Sequence, residues 1–580
     1  MTAELQAMLC GLNGALHDNI RADCGLFDTE AQKPSPCDHY GHTAAALALA
    51  TGSHEQWVRG RQSLLAWLDT DAQRIGHLPF NRLMLLLTRS VLSSNGGDAA
   101  ERHLLENGLR RCELRRAYPS NNWTVLAQTC RLIEAEPTRR GVEADRLCAL
   151  FERWTTAKGA FIDFPSSPGE SFSTPLAYHH KALFLAALSC WFHDDARLAG
   201  HARRLLDWLV HCWDSAGYAG GFGRSTHSLF GDGCLIAALV LLGVEHGNGD
   251  EPVRALCNRL GAQRRSDGFL WLNPAGHESG TASWDSYMHL SVYNAWAAAV
   301  AGVAMHLRKT RPIPASLENT RWVASQHGLF HDEEAGLACL RTAEGHNVLI
   351  STRGQPPQSF SRTEADFRYA GGTIVHLRVS DGPPLIPPPV RVARSELMEH
   401  PSVAGWTPVF RANGETLVLD QFSSVSIQLE GSALEVKLKG TARALFRRTP
   451  NTLMERLVAT VDWRLLGGLL GRRAALTRSP AVRVNGELTL TLSPEIVGAS
   501  ITRRTVLDPQ VPTERLNPSG HSRMLTGEQL DKHPLEDGNA WIRLRSSLPG
   551  GAGCTLQAHD ARPSAAPQPH DECLRVSIPR

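Results

Sequence analysis

Four short stretches of the chain place polar and aromatic residues just ahead of apolar runs. They are Asn121, Asn122 and Trp123; Tyr178, His179 and His180; Gly223, Arg224, Ser225 and His227; and Trp284, Asp285, Tyr287 and His289. Amides, an arginine, phenols and imidazoles together suit an acidic sugar, because Arg and Asn donate to a carboxylate while Tyr or His moves protons. Trp123, with Trp284 and Trp271 behind it, offers an apolar face to a sugar ring. Each of these residues also has a plainer use. Asn121 and Asn122 suit a helix cap, Arg224 a structural ion pair, and Asp232 and Asp285 the first turn of a helix, where acids complement the dipole. Successive side chains on a helix point about 100° apart, so at least one of Tyr178, His179 and His180 is structural.

The elements that must position these residues repeat along the first half of the chain. Six segments have a polar or aromatic opening and then a small-residue apolar run: DHYGHTAAALALA at Asp38, LPFNRLMLLL at Leu78, SNNWTVLAQTCRLI at Ser120, AYHHKALFLAALS at Ala177, LFGDGCLIAALVLL at Leu229 and DSYMHLSVYNAWAAAVAG at Asp285. Their starts lie about 40 to 60 residues apart, the period of a helical hairpin with its loops. Between them run amphipathic segments rich in Arg and Glu, such as HEQWVRGRQSLLAWL and DARLAGHARRLLDWLVHCW, with one solvated face. Buried helices alternating with amphipathic ones predict an (α/α)6-type toroid over residues 1–310, its polar openings converging on one mouth. An open α-solenoid that binds protein is the alternative.

After a linker at 311–325 the period shifts from 3.6 toward 2. Runs such as GLACLRTA, HNVLISTRG, GTIVHLRVS, ETLVLDQFS, SVSIQLEG, ALEVKLKGTA, VRVNGELTLTL and SITRRTVLD predict an antiparallel β-sandwich over 326–555. The segment from Leu453, LMERLVATVDWRLLGGLLGRRAALTR, fits that pattern poorly and reads as an inserted helix or an irregular edge. Residues 556–580 read as a loosely ordered tail.

Composition narrows the class. With 42% hydrophobic and 20% charged residues and a mean hydropathy of −0.22, the chain is neither disordered nor fibrous. A formal charge of +2 argues against nucleic acid as a partner. The longest apolar stretch, Cys234 to Val244, is too short to span a bilayer, so no membrane partner is expected. The opening residues lack a basic region followed by an apolar one, so a cytoplasmic location is expected, with secretion by another route left open. Thirteen scattered cysteines without a CxxC pair suit buried thiols in a reducing compartment. No cofactor is expected, a structural or catalytic divalent metal being left open. His327, His331 and Asp332 are metal-ligand types that read as an ordinary loop in a chain with 25 His. Oligomeric state is not readable.

The succession of an NNW motif (Asn121, Asn122, Trp123), a G-x-F motif (Gly159, Phe161) leading to Tyr178, and a G-R-S motif (Gly223, Arg224, Ser225) resembles the core of α/α-toroid polysaccharide lyases, of the hyaluronate/chondroitin or heparinase II/III kind. The resemblance covers about residues 110 to 300 and implies β-elimination on a uronate-containing, acidic oligo- or polysaccharide. A base removes the proton beside the carboxylate, and the glycosidic oxygen leaves from the adjacent carbon once donors have neutralised the carboxylate charge. By position, Asn122 and Arg224 would bind the carboxylate, Tyr178 or His179 would be base and acid, and His227 and Tyr287 complete the catalytic candidates. Asn121, Trp123, His289, Trp284 and Asp285 would bind substrate.

The sequence departs from that pattern where hyaluronate-type lyases carry a His after the G-x-F stretch; here the residues are GAFIDFPSSPGESF, which leaves His179, His227 or His289 to supply the imidazole. Two other functions stand beside the lyase. A glycoside hydrolase would need a carboxylate pair drawn from Asp163, Glu170, Asp232 and Asp285. A glycan-binding protein would need no catalysis.

Overall fold

The computed structural model describes residues 2–577 other than 117, 119, 164–175, 245–249, 275–282, 286, 324–326, 344, 356–359, 379–383, 385–390, 406, 432, 448–452, 467–468, 472, 474–477, 496–497, 508–512, 517–530, 535–540, 548–552 and 561–569. Glu170, one of the hydrolase candidates, lies outside the described residues. The chain divides into two compact units: Met1–Glu170, Thr174–Gly221 and Ser225–Ser325 form the first, and Ser171–Ser173, Phe222–Arg224 and Gln326–Arg580 the second.

The first unit is built from α1 (Ala3–Asp18), α2 (Gly41–Ala50), α3 (His54–Leu68), α4 (Leu78–Ser94), α5 (Ala99–Arg111), α6 (Asn121–Glu134), α7 (Arg140–Trp154), α8 (Leu176–Phe192), α9 (Ala196–His211), α10 (Leu229–Leu242), α11 (Asp250–Gly261) and α12 (Leu290–Thr310). The even-numbered helices each pack on the next, and α12 returns to α2, closing a ring. Each odd-numbered helix packs outside it, so the α/α toroid is closed and an open solenoid is set aside. All six inner helices are those the apolar runs predict. Every residue of α2 and of α10 is buried, as a helix without a solvated face requires.

Small residues let the inner helices approach closely. A Cβ on Gly231 would lie 2.9 Å from the Ala177 Cα, and one on Gly233 would lie 2.8 Å from the Ala297 Cα, so α10 is pressed between α8 and α12. The outer helices carry their own start signals. Ser53 with Gln56 and Asp98 with Glu101 form capping boxes at α3 and α5. The sixth outer helix is α1, which packs against α11 and α12; the sequence reading screened this segment only as a leader. Helix α12 corrects the reading of apolar lengths. Its 21 residues are apolar enough to cross a membrane by composition, but 89% of the apolar window is buried in the ring.

Residues 311–323, in the segment read as a linker, pack on the first unit. Leu317 is buried in the first unit's core, the Asp194 carboxylate accepts from the Ala315 and Ser316 N–H groups, and Trp322 packs edge-on against Trp213.

The second unit is antiparallel β. Its largest sheet has eight strands in the order Ser424–Glu430, Ala433–Thr441, Asn485–Glu495, Gly498–Leu507, His570–Ser577, Gly553–Asp560, Trp541–Ser547 and Asp531–Pro534. Two four-stranded sheets accompany it, one from Thr373–Arg378, Asn347–Ser351, Leu337–Arg341 and Gly328–Asp332, the other from Arg443–Ala444, Glu415–Val418, Val409–Ala412 and Thr513–Arg515. Leu340, Ile350, Phe410, Leu417, Val436 and Leu490 draw all three sheets into one apolar cluster, an arrangement with more parts than the two-sheet sandwich expected. The segment read as a loose tail contains the strand His570–Ser577, paired on both sides. His331 and Asp332 end the strand Gly328–Asp332. Two helices interrupt the strands: α13 (Arg394–Glu399) and α14 (Leu453–Leu465), the latter being the segment that fits no strand pattern.

Candidate functional site

The N-terminal ends of the inner helices bring together one ring-lined mouth. His39 precedes α2, His77 caps α4, Trp123 lies in the first turn of α6, Tyr178 in that of α8, Phe230 in that of α10, and His289 caps α12. The His39 ring stacks on His77 at 4.3 Å and meets His289 edge-on at 4.9 Å. His77 is 5.1 Å from Trp123, which is 5.3 Å from Phe80. Tyr40 stacks on Phe80 at 4.6 Å, and Phe230 stands 6.3 Å from Tyr178 and 5.9 Å from Tyr293.

Two of the imidazoles here, His77 and His289, are held below the usual histidine range. Burial lowers His77 to about 4, with the neighbouring His39 adding to the effect, and burial followed by His39 lowers His289. His77 sits in the left-handed region at φ 45, and its Nδ1–H donates to the Asp38 carbonyl at 2.7 Å. A carbonyl only accepts, so the lone pair of His77 is on Nε2. Tyr40 is buried, which raises its phenol well above its usual value; Tyr293 hydrogen-bonds to it, and the Tyr287 and Tyr178 phenols stand near. The Tyr287 hydroxyl shares a short hydrogen bond with Ser225 Oγ.

Behind this mouth lies a residue that the sequence reading passed over. Lys181, on α8 and fully buried, donates from Nζ to Asn122 Oδ1 at 2.7 Å and lies 4.0 Å above the Phe80 ring. Burial lowers it to about 7, against the opposing pull of Cys234 and Asp163. Asn122 is consumed by this linkage. Its N–H donates to Asp163 Oδ1 at 3.0 Å, and its Nδ2 donates to Ser120 Oγ and to the same Asp163 oxygen. The amide is a buried bridge between cation and carboxylate.

Several of the predicted residues are brought to the mouth: Trp123, Tyr178, Tyr287 and His289. Others are turned away from it. His179 is fully buried, accepts at Nδ1 from the Phe161 N–H at 3.1 Å and donates from Nε2 to the Leu205 carbonyl at 3.0 Å. Burial lowers it to about 3, and with both nitrogens bonded to backbone it ties α8 to α9 and has no lone pair for a substrate. Asn121 likewise ties α6 to the G-x-F stretch, through its N–H to the Asp163 carbonyl and its Nδ2 to the Ile162 carbonyl. His180 is buried beside Gly231. His227, at φ 46, packs edge-on against Tyr218, over which Arg259 lies. Trp271 is covered by the Arg265 guanidinium at 4.1 Å. Trp284 is half-buried, its backbone N–H donating to Asn273 Oδ1. Arg224 is half-buried between Gly223 and Ser225, both at positive φ, and groups with the second unit.

The carboxylates read as hydrolase candidates are engaged. Asp163 accepts from Asn122, Asp232 pairs with Arg259 at 2.6 Å where both are buried, and Asp285 accepts from the Ser225 N–H at 2.8 Å. Among the described residues no group of three His, Cys, Asp or Glu side chains is placed to hold a metal ion. The eleven cysteines from Cys10 to Cys339 are free thiols.

Neither a family model nor a curated protein matches the chain. Solved structures do. An α-1,6-mannanase from Salegentibacter sp. HEL1_6 is similar at 10% identity and a TM-score of 0.38, over 52% of this chain and 99% of the mannanase. The cellobiose 2-epimerase from Spirochaeta thermophila is similar at 11% identity and 0.38, over 53% and 98%. The unsaturated glucuronyl hydrolase from Bacillus sp. GL1 is similar at 13% identity and 0.38, over 52% and 96%. Likenesses this distant carry neither activity nor residue roles across to this chain.

Proposed function

We propose that the chain is a glycan-active enzyme, a lyase that cleaves a uronate-containing oligo- or polysaccharide by β-elimination at the toroid mouth. One observation supports it above the rest. Phenols and imidazoles gather at the helix openings, while Asp163, Asp232 and Asp285, the described three of the four carboxylates a hydrolase would draw on, are bonded inside the protein. Elimination needs a base and an acid and no carboxylate pair.

In this reading His77 Nε2 takes the proton beside the sugar carboxylate, the carbon–oxygen bond on the adjacent carbon breaks, a double bond forms between the two carbons, and a tyrosine phenol returns a proton to the departing oxygen. An anionic sugar beside His77 raises the basicity that burial has lowered. Tyr287, half-exposed and bonded to Ser225, is the leading acid; Tyr178 is the second phenol at the mouth. Trp123 gives the sugar ring an apolar wall. Arg224 takes the carboxylate in the role that the G-R-S motif implies.

The test is ultraviolet absorbance during incubation with a panel of uronate-containing glycans, because elimination creates a conjugated double bond and hydrolysis does not. The absorbance is expected to rise with the parent protein and to be lost in Arg224→Ala. New reducing ends without absorbance would overturn the lyase reading in favour of hydrolysis, and binding without turnover would assign a glycan-binding protein.

A further inference from the structure

More than half of the large apolar side chains that remain exposed among the described residues lie between 453 and 470. On α14, Leu453 is 86% exposed, Met454 70%, Leu457 60% and Leu465 78%. Met454, Leu457, Val458, Val461 and Leu465 recur at helical spacing, so they form one stripe about 100° wide. The Asp462 carboxylate is buried and accepts from the Leu470 and Gly471 N–H groups at 2.8 and 2.9 Å, closing the turn that carries exposed Leu469 and Leu470.

Charge around this stripe is one-sided. Residues 447–473 contain six arginines against two acids, Glu455 and Asp462, in a chain whose net charge is only +2. Arg447, Arg456, Arg464 and Arg473 are exposed, and Arg464 neighbours Val461 at i+3. The stripe is far too short to span a bilayer. An apolar face bordered by arginines matches the boundary between acyl chains and anionic headgroups, with long cationic side chains reaching up to the phosphates. A second copy of the chain fits less well, since pairing two such faces brings like charges together.

We propose that α14 and the turn after it dock on the surface of an anionic phospholipid bilayer, lying in the plane of the interface. This proposal runs against the expectation of no membrane partner.

The full chain is tested by flotation with phosphatidylcholine vesicles that contain or lack phosphatidylglycerol. Flotation is expected only with phosphatidylglycerol, weakening as salt is raised. The Leu457→Gln/Leu465→Gln variant should abolish it, and Arg464→Gln/Arg473→Gln should weaken it by about fivefold per arginine. All four positions are exposed, so an unchanged circular dichroism spectrum separates lost docking from lost folding. Absence of flotation overturns the proposal, as does flotation indifferent to the variants or to phosphatidylglycerol. Absence of flotation together with a dimer that the leucine variant dissociates assigns the face to a second copy.

Discussion

The Lys181 ammonium and the Asn122 carbonyl oxygen meet at 2.7 Å inside the toroid, behind the ring-lined mouth. Because Asn122 also holds Asp163, the cation on α8 and the carboxylate after the G-x-F stretch are coupled through one amide that the NNW motif supplies.

Lys181 should leave a pH signature in stability. Its folded value, about 7, lies below the ordinary lysine value of 10.5, so between those limits the unfolded chain binds the extra proton. Stability owed to this group therefore rises as pH increases from about 7 toward 10, by at most about 1.4 kcal/mol per pH unit. Lys181→Met removes that slope. Denaturant melts of both proteins across this range measure the difference, and equal slopes would mean that Lys181 titrates normally.

Removing single groups at the mouth should lower turnover and leave the fold intact. Tyr287→Phe and His77→Gln are each expected to reduce kcat by about a hundredfold to ten-thousandfold, the range general acids and bases supply. Steady-state kinetics on the glycan that responds in the absorbance test would decide it. A Tyr287→Phe protein with parental kcat would pass the acid's role to Tyr178.

His179→Leu should act oppositely. It leaves the Phe161 N–H without a partner in a dry site, at a cost of about 1–3 kcal/mol, and removes the second of two donors to the Leu205 carbonyl, which keeps its bond within α9. The melting temperature falls while kcat per folded molecule holds. A large loss of kcat in well-folded protein would return His179 to the chemistry.

The Asp232–Arg259 pair fastens α10 to α11. Arg259→Met alone strands a buried carboxylate and should cost about 3–5 kcal/mol, whereas Asp232→Leu with Arg259→Met should recover much of that loss. Urea denaturation of the two variants gives the comparison.

What could be read from residue order depended on whether the signal was periodic. The inner helices announce themselves because a helix buried on every side, such as LFGDGCLIAALVLL at α10, has no polar stripe to confuse it with anything else. Strands such as Ser424–Glu430 and Ala433–Thr441 are equally plain through alternation, whereas the short strands Glu364–Asp366, Arg391–Ala393 and Val409–Ala412 are not among the runs the sequence marks. The site was less so. Tyr178 and His179 are adjacent in sequence, yet the helical turn between them sends one to the mouth and the other to α9. His39 and His77 sit in short openings, DHYGH and IGHLPF, without a pattern of their own, and only the packing of α4 on α2 brings them within stacking distance. Lys181 is the sixth residue of an apolar helix, where a charge reads as an accident until its partner 59 positions earlier is seen.

The seam where α12 meets α2 joins parts of the chain that leave the ribosome far apart in time. Until Leu290–Thr310 has been synthesised, the apolar flanks of α2 and α10 that it will cover stay wet, and five hairpins wait as an unclosed arc. Closure of the first unit is thus timed by translation of its last helix, and a nascent chain stalled before Leu290 presents the arc's bare edges to chaperones and to its neighbours.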